Sequence, residues 1–255
     1  MNETVRKIGP RTGDRPELAA LKHDLLCAFH ILHRAGQGSG VGGHLTARLP
    51  GAETFWTHRW GQGFEEVTAA DLQEADFELN VVTGTDAINP TLHIHTRLYL
   101  ARPDVTCIVH THAKHVIALS ATGSNLEPVV QGGAIFYDDC ALFDEYEGIV
   151  LGKSEGESIA HAIGRKRAVL LKNHGLICVG DRIGQAVIGA LTLEFAAEVQ
   201  LMAMAAGKLS PMPRDAALQA RRFLDSDETY GLRWAHLKRT IMRERPDMVP
   251  SATAI

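Results

Sequence analysis

Val105-Thr-Cys-Ile-Val-His110-Thr-His112 is a β-branched apolar run that ends in two histidines one residue apart. As a strand it puts side chains i and i+2 on one face, so His110 and His112 aim at one point while Thr111 turns away. That is half of a metal site. The spacing is necessary for chelation from a strand but not specific to it, and in a chain with 13 histidines a strand-end imidazole also serves as an ordinary hydrogen-bonded residue. A second segment, Ala168-Val-Leu-Leu-Lys-Asn-His174-Gly175 followed by Leu176-Ile-Cys-Val179, offers another histidine at a glycine turn between two strand-like runs. Three imidazoles with one coordination position open is the plan of a catalytic zinc centre, whereas a structural zinc is closed by four protein ligands.

Helices and strands alternate around these two runs without a linker, repeat or low-complexity segment. Leu18, Leu21, Leu25, Phe29 and Leu32 recur at three- and four-residue steps between Glu17 and Ala35, and Gly36 follows, which predicts an amphipathic helix with a glycine end. Leu45–Leu49 and Thr54–His58 alternate like two half-buried strands around the Pro50-Gly51 turn. Thr68-Ala-Ala-Asp71 and Ser154-Glu-Gly-Glu157 read as capping boxes that open helices. Thr91–Ala101 predicts a helix stopped before Pro103, and Asp181–Ala206 a long one ended by Gly207, with one or two more helices beyond Pro211 and Pro213. The expected organisation is a loose arm over 1–16, one α/β domain over 17–245 and a tail over 246–255.

A chain of 255 residues, 45% hydrophobic, can bury one large core. Its net charge of −4, with Asp227, Glu228 and Glu244 interleaved among Arg233, Lys238, Arg239, Arg243 and Arg245, argues for a solvated helix face and against a nucleic-acid partner. No run is read as reaching the ~20 residues of a membrane span, and Met1-Asn-Glu-Thr has no signal-peptide core, so no membrane partner and a cytoplasmic location are expected. Cys27, Cys107, Cys140 and Cys178 make no Cys-X-X-Cys pattern and read as buried small apolar residues.

Gly43-His-Leu-Thr-Ala-Arg-Leu-Pro50, Gly63-Phe-Glu-Glu-Val-Thr-Ala-Ala-Asp-Leu72, Ala101-Arg-Pro-Asp-Val105 running into His110-Thr-His112, and Lys172-Asn-His-Gly175 follow one another in an order and at spacings that resemble the class II aldolase/adducin family. The resemblance covers nearly the whole chain. It implies a three-layer α/β domain with a mixed, mainly antiparallel central sheet flanked by helices. It implies a divalent metal on His110, His112 and His174, zinc first, with Mn, Fe, Co or Ni also suited to three imidazoles. It also implies a homo-oligomer, commonly a tetramer, with the site near a subunit boundary.

The chain departs from the family's sugar-phosphate members in two places. Their acidic residue stands 19 positions before the first histidine of the pair, and here that position is Thr91, which cannot act as a carboxylate base. Their Gly-Asn-x-Ser becomes Gly43-His44-Leu45-Thr46, and their small-residue loop becomes Thr57-His58-Arg59-Trp60-Gly61, so the phosphate cradle is altered. His44, Thr46 and Arg48 are candidates for the substrate's polar end, Arg48 reading equally as a solvent-facing strand residue. One helical turn beyond Thr91, His95 is preferred over His93 as a catalytic residue, with bonding to a backbone carbonyl as the alternative. Ile135-Phe-Tyr-Asp-Asp139 adds Tyr137 and Asp138, with capping of Cys140 onward as the alternative role of the cluster's carboxylates, and Thr229-Tyr-Gly-Leu-Arg233 resembles a segment in fuculose-type aldolases where a tyrosine serves the neighbouring subunit, which nominates Tyr230.

The resulting expectation is a metal-dependent carbon–carbon lyase of the retro-aldol type acting on a small non-phosphorylated hydroxy, oxo or aromatic carboxylic acid. The metal acts as Lewis acid toward the enolate formed on bond cleavage. Decarboxylation shares that enolate without needing a hydroxyl proton removed and is the alternative. An iron oxygenase on the same fold, or an adducin-like binding module, follows at a distance.

Overall fold

The computed structural model describes residues 16–145 and 152–248. At its centre the histidine run forms β5 (Cys107–Thr111), a strand with all five residues buried. Seven more strands complete one sheet: β1 (His44–Ala47), β2 (Thr54–His58), β3 (Leu72–Asp76), β4 (Val81–Thr83), β6 (Cys140–Phe143), β7 (Ala168–Leu171) and β8 (Gly175–Gly180). Their order is β4-β3-β2-β1-β5-β8-β7-β6, and every neighbouring pair is antiparallel except β6–β7. This is the mixed, mainly antiparallel sheet that the resemblance implied.

Strand alternation divides the apolar residues between two cores. Cys107 and Val109 face the layer containing α1 (Pro16–Arg34), α3 (Lys114–Ala121), α5 (Ile183–Ala206) and α7 (Asp227–Glu244), while Ile108 faces α2 (His93–Ala101) and α4 (Lys153–Ile163). On α1 the predicted stripe is buried through Leu25, Phe29 and Leu32, each fully covered and each contributing about 1.5–3 kcal/mol of burial. Gly36 ends it at φ 77°, where a side chain would be strained. The four cysteines are free and buried, and burial pushes the Cys107, Cys140 and Cys178 thiols up, as expected of inert core residues.

Several expectations change. Helix α5 has 24 residues and is long and apolar enough, by length and composition alone, to cross a membrane, contrary to the sequence reading. Half of its most apolar window is buried inside the domain, where it covers the sheet as the main core helix. Thr68 and Asp71 do form their box, but it opens only a three-residue 3-10 turn, because Leu72 is captured by pairing with His58 of β2. Ser154 lies inside α4, whose N-cap is Gly152. Most of the expected arm and tail falls on residues 1–15 and 249–255, outside the described ones, while Pro246–Met248 makes a 3-10 turn whose Met248 is buried against the core.

Candidate metal centre

His110 is held by its register. It pairs with His44 of β1 on one side and Ile177 of β8 on the other. Its Nδ1–H donates to the Leu176 carbonyl at 2.9 Å, and since a carbonyl can only accept, the Nε2 lone pair is left free. His112 lies just past the strand, with its backbone N–H donating to Ser39 Oγ at 2.8 Å. His174 follows Asn173, which adopts φ 59°, and precedes Gly175, where an added Cβ would lie 2.3 Å from the Thr111 carbonyl oxygen. Only glycine permits that approach of β8 to β5, and the approach brings His174 over the strand histidines. One nitrogen from each of the three rings lies within 4.8 Å of the others, and the Nε2 atoms of His110 and His112 are 3.3 Å apart.

The electrostatics suit a cation. Burial is the largest cause of lowered pKa at all three rings, moving His174 to about 4 and His110 well below the ordinary range, with neighbouring imidazoles adding repulsion at His110 and His174. Neutral imidazoles carry the lone pairs a metal requires. Three converging neutral nitrogens, one already oriented by a carbonyl, therefore fit a borderline divalent cation with open positions.

Beside the triad, the His44 ring lies 4.5 Å from that of His110, centroid to centroid. His44 contacts His95 Nε2 through Nδ1 at 2.8 Å and Thr91 Oγ1 through Nε2 at 3.1 Å. His95 continues to Thr46 Oγ1 at 2.8 Å, and Thr46 to the Tyr99 hydroxyl at 2.8 Å. The fold thus collects buried His44, Thr46 and His95 and half-buried Thr91 in one network against the ring of the candidate ligand His110. His93, half-buried on the same helix, is not part of it.

Other candidates fall elsewhere. Arg48 is 5% exposed, neither solvent-facing nor at the triad: it donates to the carbonyls of Val105, Ala52, Tyr99, Arg102 and Pro103 and lies over the Tyr99 ring at the far end of β5. Tyr137 and Asp138 line a cleft of about 310 Å³ with Glu127, Phe136 and Lys166. They precede β6, which runs parallel to β7 with Cys140 opposite Ala168, whereas His174 follows the other end of β7. Within one chain these two residues are therefore at the opposite end of the strands from the triad. Tyr230 is buried on α7, where its hydroxyl accepts from Arg167 at 3.4 Å, again at the start of β7.

The sequence profile of the Class II Aldolase and Adducin N-terminal domain matches residues 23–201. The chain belongs to this family. A 4-hydroxy-3-prenylphenylpyruvate oxygenase/4-hydroxy-3-prenylbenzoate synthase from Streptomyces roseochromogenus subsp. oscitans is 33% identical over 89% of this chain and 83% of its own length. Decarboxylase NovR from Streptomyces niveus is 32% identical over 89% of this chain and 85% of its own. Among solved structures, an L-fuculose 1-phosphate aldolase from Glaciozyma antarctica PI12 superposes with a TM-score of 0.82 at 32% identity, over 91% of this chain and 92% of that one.

Three residues of this class II aldolase and adducin family member escaped the sequence reading. Asn89 accepts from both the backbone N–H and the hydroxyl of Thr91, Tyr99 closes the network, and Ser39 holds the His112 backbone. Asn89-Pro90 is a helix-start signal that could have been read. Tyr99 and Ser39 gave none, since their partners are distant in the chain.

Proposed function

We propose that the chain is a divalent-metal-dependent carbon–carbon lyase acting on a small non-phosphorylated hydroxy, oxo or aromatic carboxylic acid, with decarboxylation ahead of retro-aldol cleavage. The family and the names of its relatives support an enzyme of the lyase class. The observation that carries the finer reading is the state of Thr91. Its only hydroxyl proton goes to Asn89 Oδ1 at 2.7 Å, and position 91 supplies no base to remove a substrate hydroxyl proton. Loss of CO₂ from an ionised carboxylate needs no such base.

His110, His112 and His174 would hold the cation, which supplies Lewis-acid polarisation of a substrate oxygen. The protein's own groups do the rest. His44 and Thr91 orient the substrate's polar end, and His95 and Thr46 hold His44 in place. In the loop that replaces a phosphate cradle, Thr57 turns its hydroxyl inward to the Leu45 carbonyl at 3.0 Å, and Arg59 pairs with Asp71 at 3.3 Å. The Thr57 hydroxyl proton is thus committed and Arg59 is shared with Asp71, which favours an unphosphorylated substrate. A tetramer with the site near a subunit boundary belongs to the same reading, and Tyr137, Asp138 and Tyr230 could contribute only across such a boundary; exposed Phe195, Met202 and Leu232 offer apolar surface for it.

Elemental analysis of the purified protein, followed by a screen of hydroxy and oxo acids for CO₂ and aldehyde release, tests the reading. CO₂ release dependent on a stoichiometric metal is expected, and Thr91→Glu should raise KM by placing a negative charge beside the substrate carboxylate. Aldehyde release enhanced by that substitution would restore retro-aldol cleavage to first place. The relative named as an oxygenase supports a second reading, which oxygen consumption by the iron-loaded protein would reveal.

A further inference from the structure

We infer that the hydrogen-bond chain from Tyr99 to Asn89 runs in one direction only and makes His44 a fixed Nε2–H donor, which selects a substrate oxygen able to accept, a carboxylate. The deduction starts at Asn89. Its Oδ1 receives the backbone N–H of Thr91 at 2.9 Å, and a backbone N–H can only donate, so this atom is the amide oxygen. Thr91 Oγ1 lies 2.7 Å from the same oxygen and must give it its single proton. Having none left, Thr91 can only accept from His44 Nε2 at 3.1 Å.

The polarity then propagates inward. His44 is 1% exposed and His95 fully buried, and among the described residues no carboxylate bonds either ring, so the cost of an unpaired buried charge leaves each ring neutral with one proton. With its proton on Nε2, His44 accepts at Nδ1 from His95 Nε2–H, 2.8 Å away. His95 Nδ1 is in turn an acceptor and takes the Thr46 hydroxyl proton at 2.8 Å, leaving Thr46 to accept from the Tyr99 hydroxyl at 2.8 Å. Every link has one permitted donor.

Two consequences follow. His95 has no lone pair to spare and is a positioning residue that orients His44, not a base acting on substrate. His44 presents a proton at the triad, and its longest link is the one to half-buried Thr91 at the open side. A carboxylate oxygen is a stronger acceptor than a neutral hydroxyl and takes that proton over on binding. This deepens the lyase reading by naming the group that recognises the acid, and for that consequence it rests on that reading. The polarity itself does not.

The test has two arms. In metal-free protein, long-range ¹H–¹⁵N spectroscopy of the histidine rings, assigned through His44→Asn and His95→Gln, should show both rings protonated at Nε2 and bare at Nδ1 near pH 7.5; an Nδ1–H form or an imidazolium in either ring overturns the polarity. In zinc-loaded protein, pyruvate should bind at least about tenfold more tightly than hydroxyacetone. His44→Asn, which keeps an N–H donor, should retain that preference within about threefold, and His44→Phe should lose it. A preference unchanged in His44→Phe overturns the carboxylate assignment. The first arm needs neither metal nor substrate, so it fails only if the polarity is wrong, whereas absence of pyruvate binding to the wild-type protein overturns the carboxylate assignment together with the lyase reading.

Discussion

The two ends of the central sheet treat buried polar groups in opposite ways. At the C-terminal end of β5, neutral imidazoles from His110, His112 and His174 converge without a carboxylate among them. Around the start of β7, Arg167 donates to Asp139 and Asp225, Arg221 reaches the same Asp139 at 3.0 Å, and Arg167 also bonds the Ile135 carbonyl at 2.8 Å. Nearby on the sheet, Arg48 spends its guanidinium on five carbonyls. Paired charges close one end; converging neutral imidazoles mark the other. The contrast sets a candidate cation site against an end held by ion pairs.

Removing a triad ligand should give the largest effect. His174→Ala is expected to lower metal content to background and turnover by about 10³-fold or more, with an unchanged circular dichroism spectrum, because His174 lies on a turn outside the core. Stoichiometric metal in His174→Ala, by elemental analysis, would erase the contrast between the ends.

Arg167→Met should do the reverse. It leaves Asp139, whose side chain is 8% exposed, with much of its pairing gone, and should cost about 3–5 kcal/mol in urea unfolding while metal stoichiometry is kept. A loss below about 1 kcal/mol would show that the closed end is not held by its charges.

A third effect separates buried imidazoles in general from those of the triad. His58 lies on the α1 side against Phe29 and Phe64, and burial lowers its pKa to about 4. Its contribution is intact above the unfolded value of about 6.5. As pH falls below that, the unfolded ring takes up a proton that the folded one refuses until about 4, so stability declines across this window by up to about 3 kcal/mol. Urea midpoints at pH 7.5 and 4.5 should diverge less in His58→Phe than in the parent, and equal divergence would assign the acid sensitivity to other groups.

The smallest effect is expected at Tyr137 and Asp138, which lie beyond the opposite end of β7 from His174. Tyr137→Phe and Asp138→Asn should change kcat/KM by less than about twofold. A tenfold loss would mean that this end of one chain meets the triad of another and that the two ends cooperate in an oligomer.

Local patterning was enough to reveal much of the fold. The three- and four-residue steps from Leu18 to Leu32, the alternation in Thr54–His58 and the β-branched run before His110 each encode their element through side-chain period, which needs no knowledge of neighbours. Leu72-Gln-Glu-Ala-Asp76 has no such signature and became β3 only because β2 offers it a partner. The short Lys114–Ala121 helix, which follows closely on β5, carries no comparable signature.

For the site, the sequence by itself determined the candidate ligand set: His110 and His112 two apart at a strand end, His174 before a glycine, and Thr91 where the sugar-phosphate members it resembles carry an acid. Tertiary structure alone decided what these groups can do. Sheet register set His44 against His110, packing of α2 carried His95 and Tyr99 onto Thr46, and Asn89 determined the direction of every proton in between. The same packing withdrew Arg48, Tyr137, Asp138 and Tyr230 from the triad of their own chain. The physical reason is range: periodicity and ligand spacing act over a few residues, whereas tautomers and hydrogen-bond partners depend on atoms some fifty residues apart that only the folded sheet brings to within 3 Å.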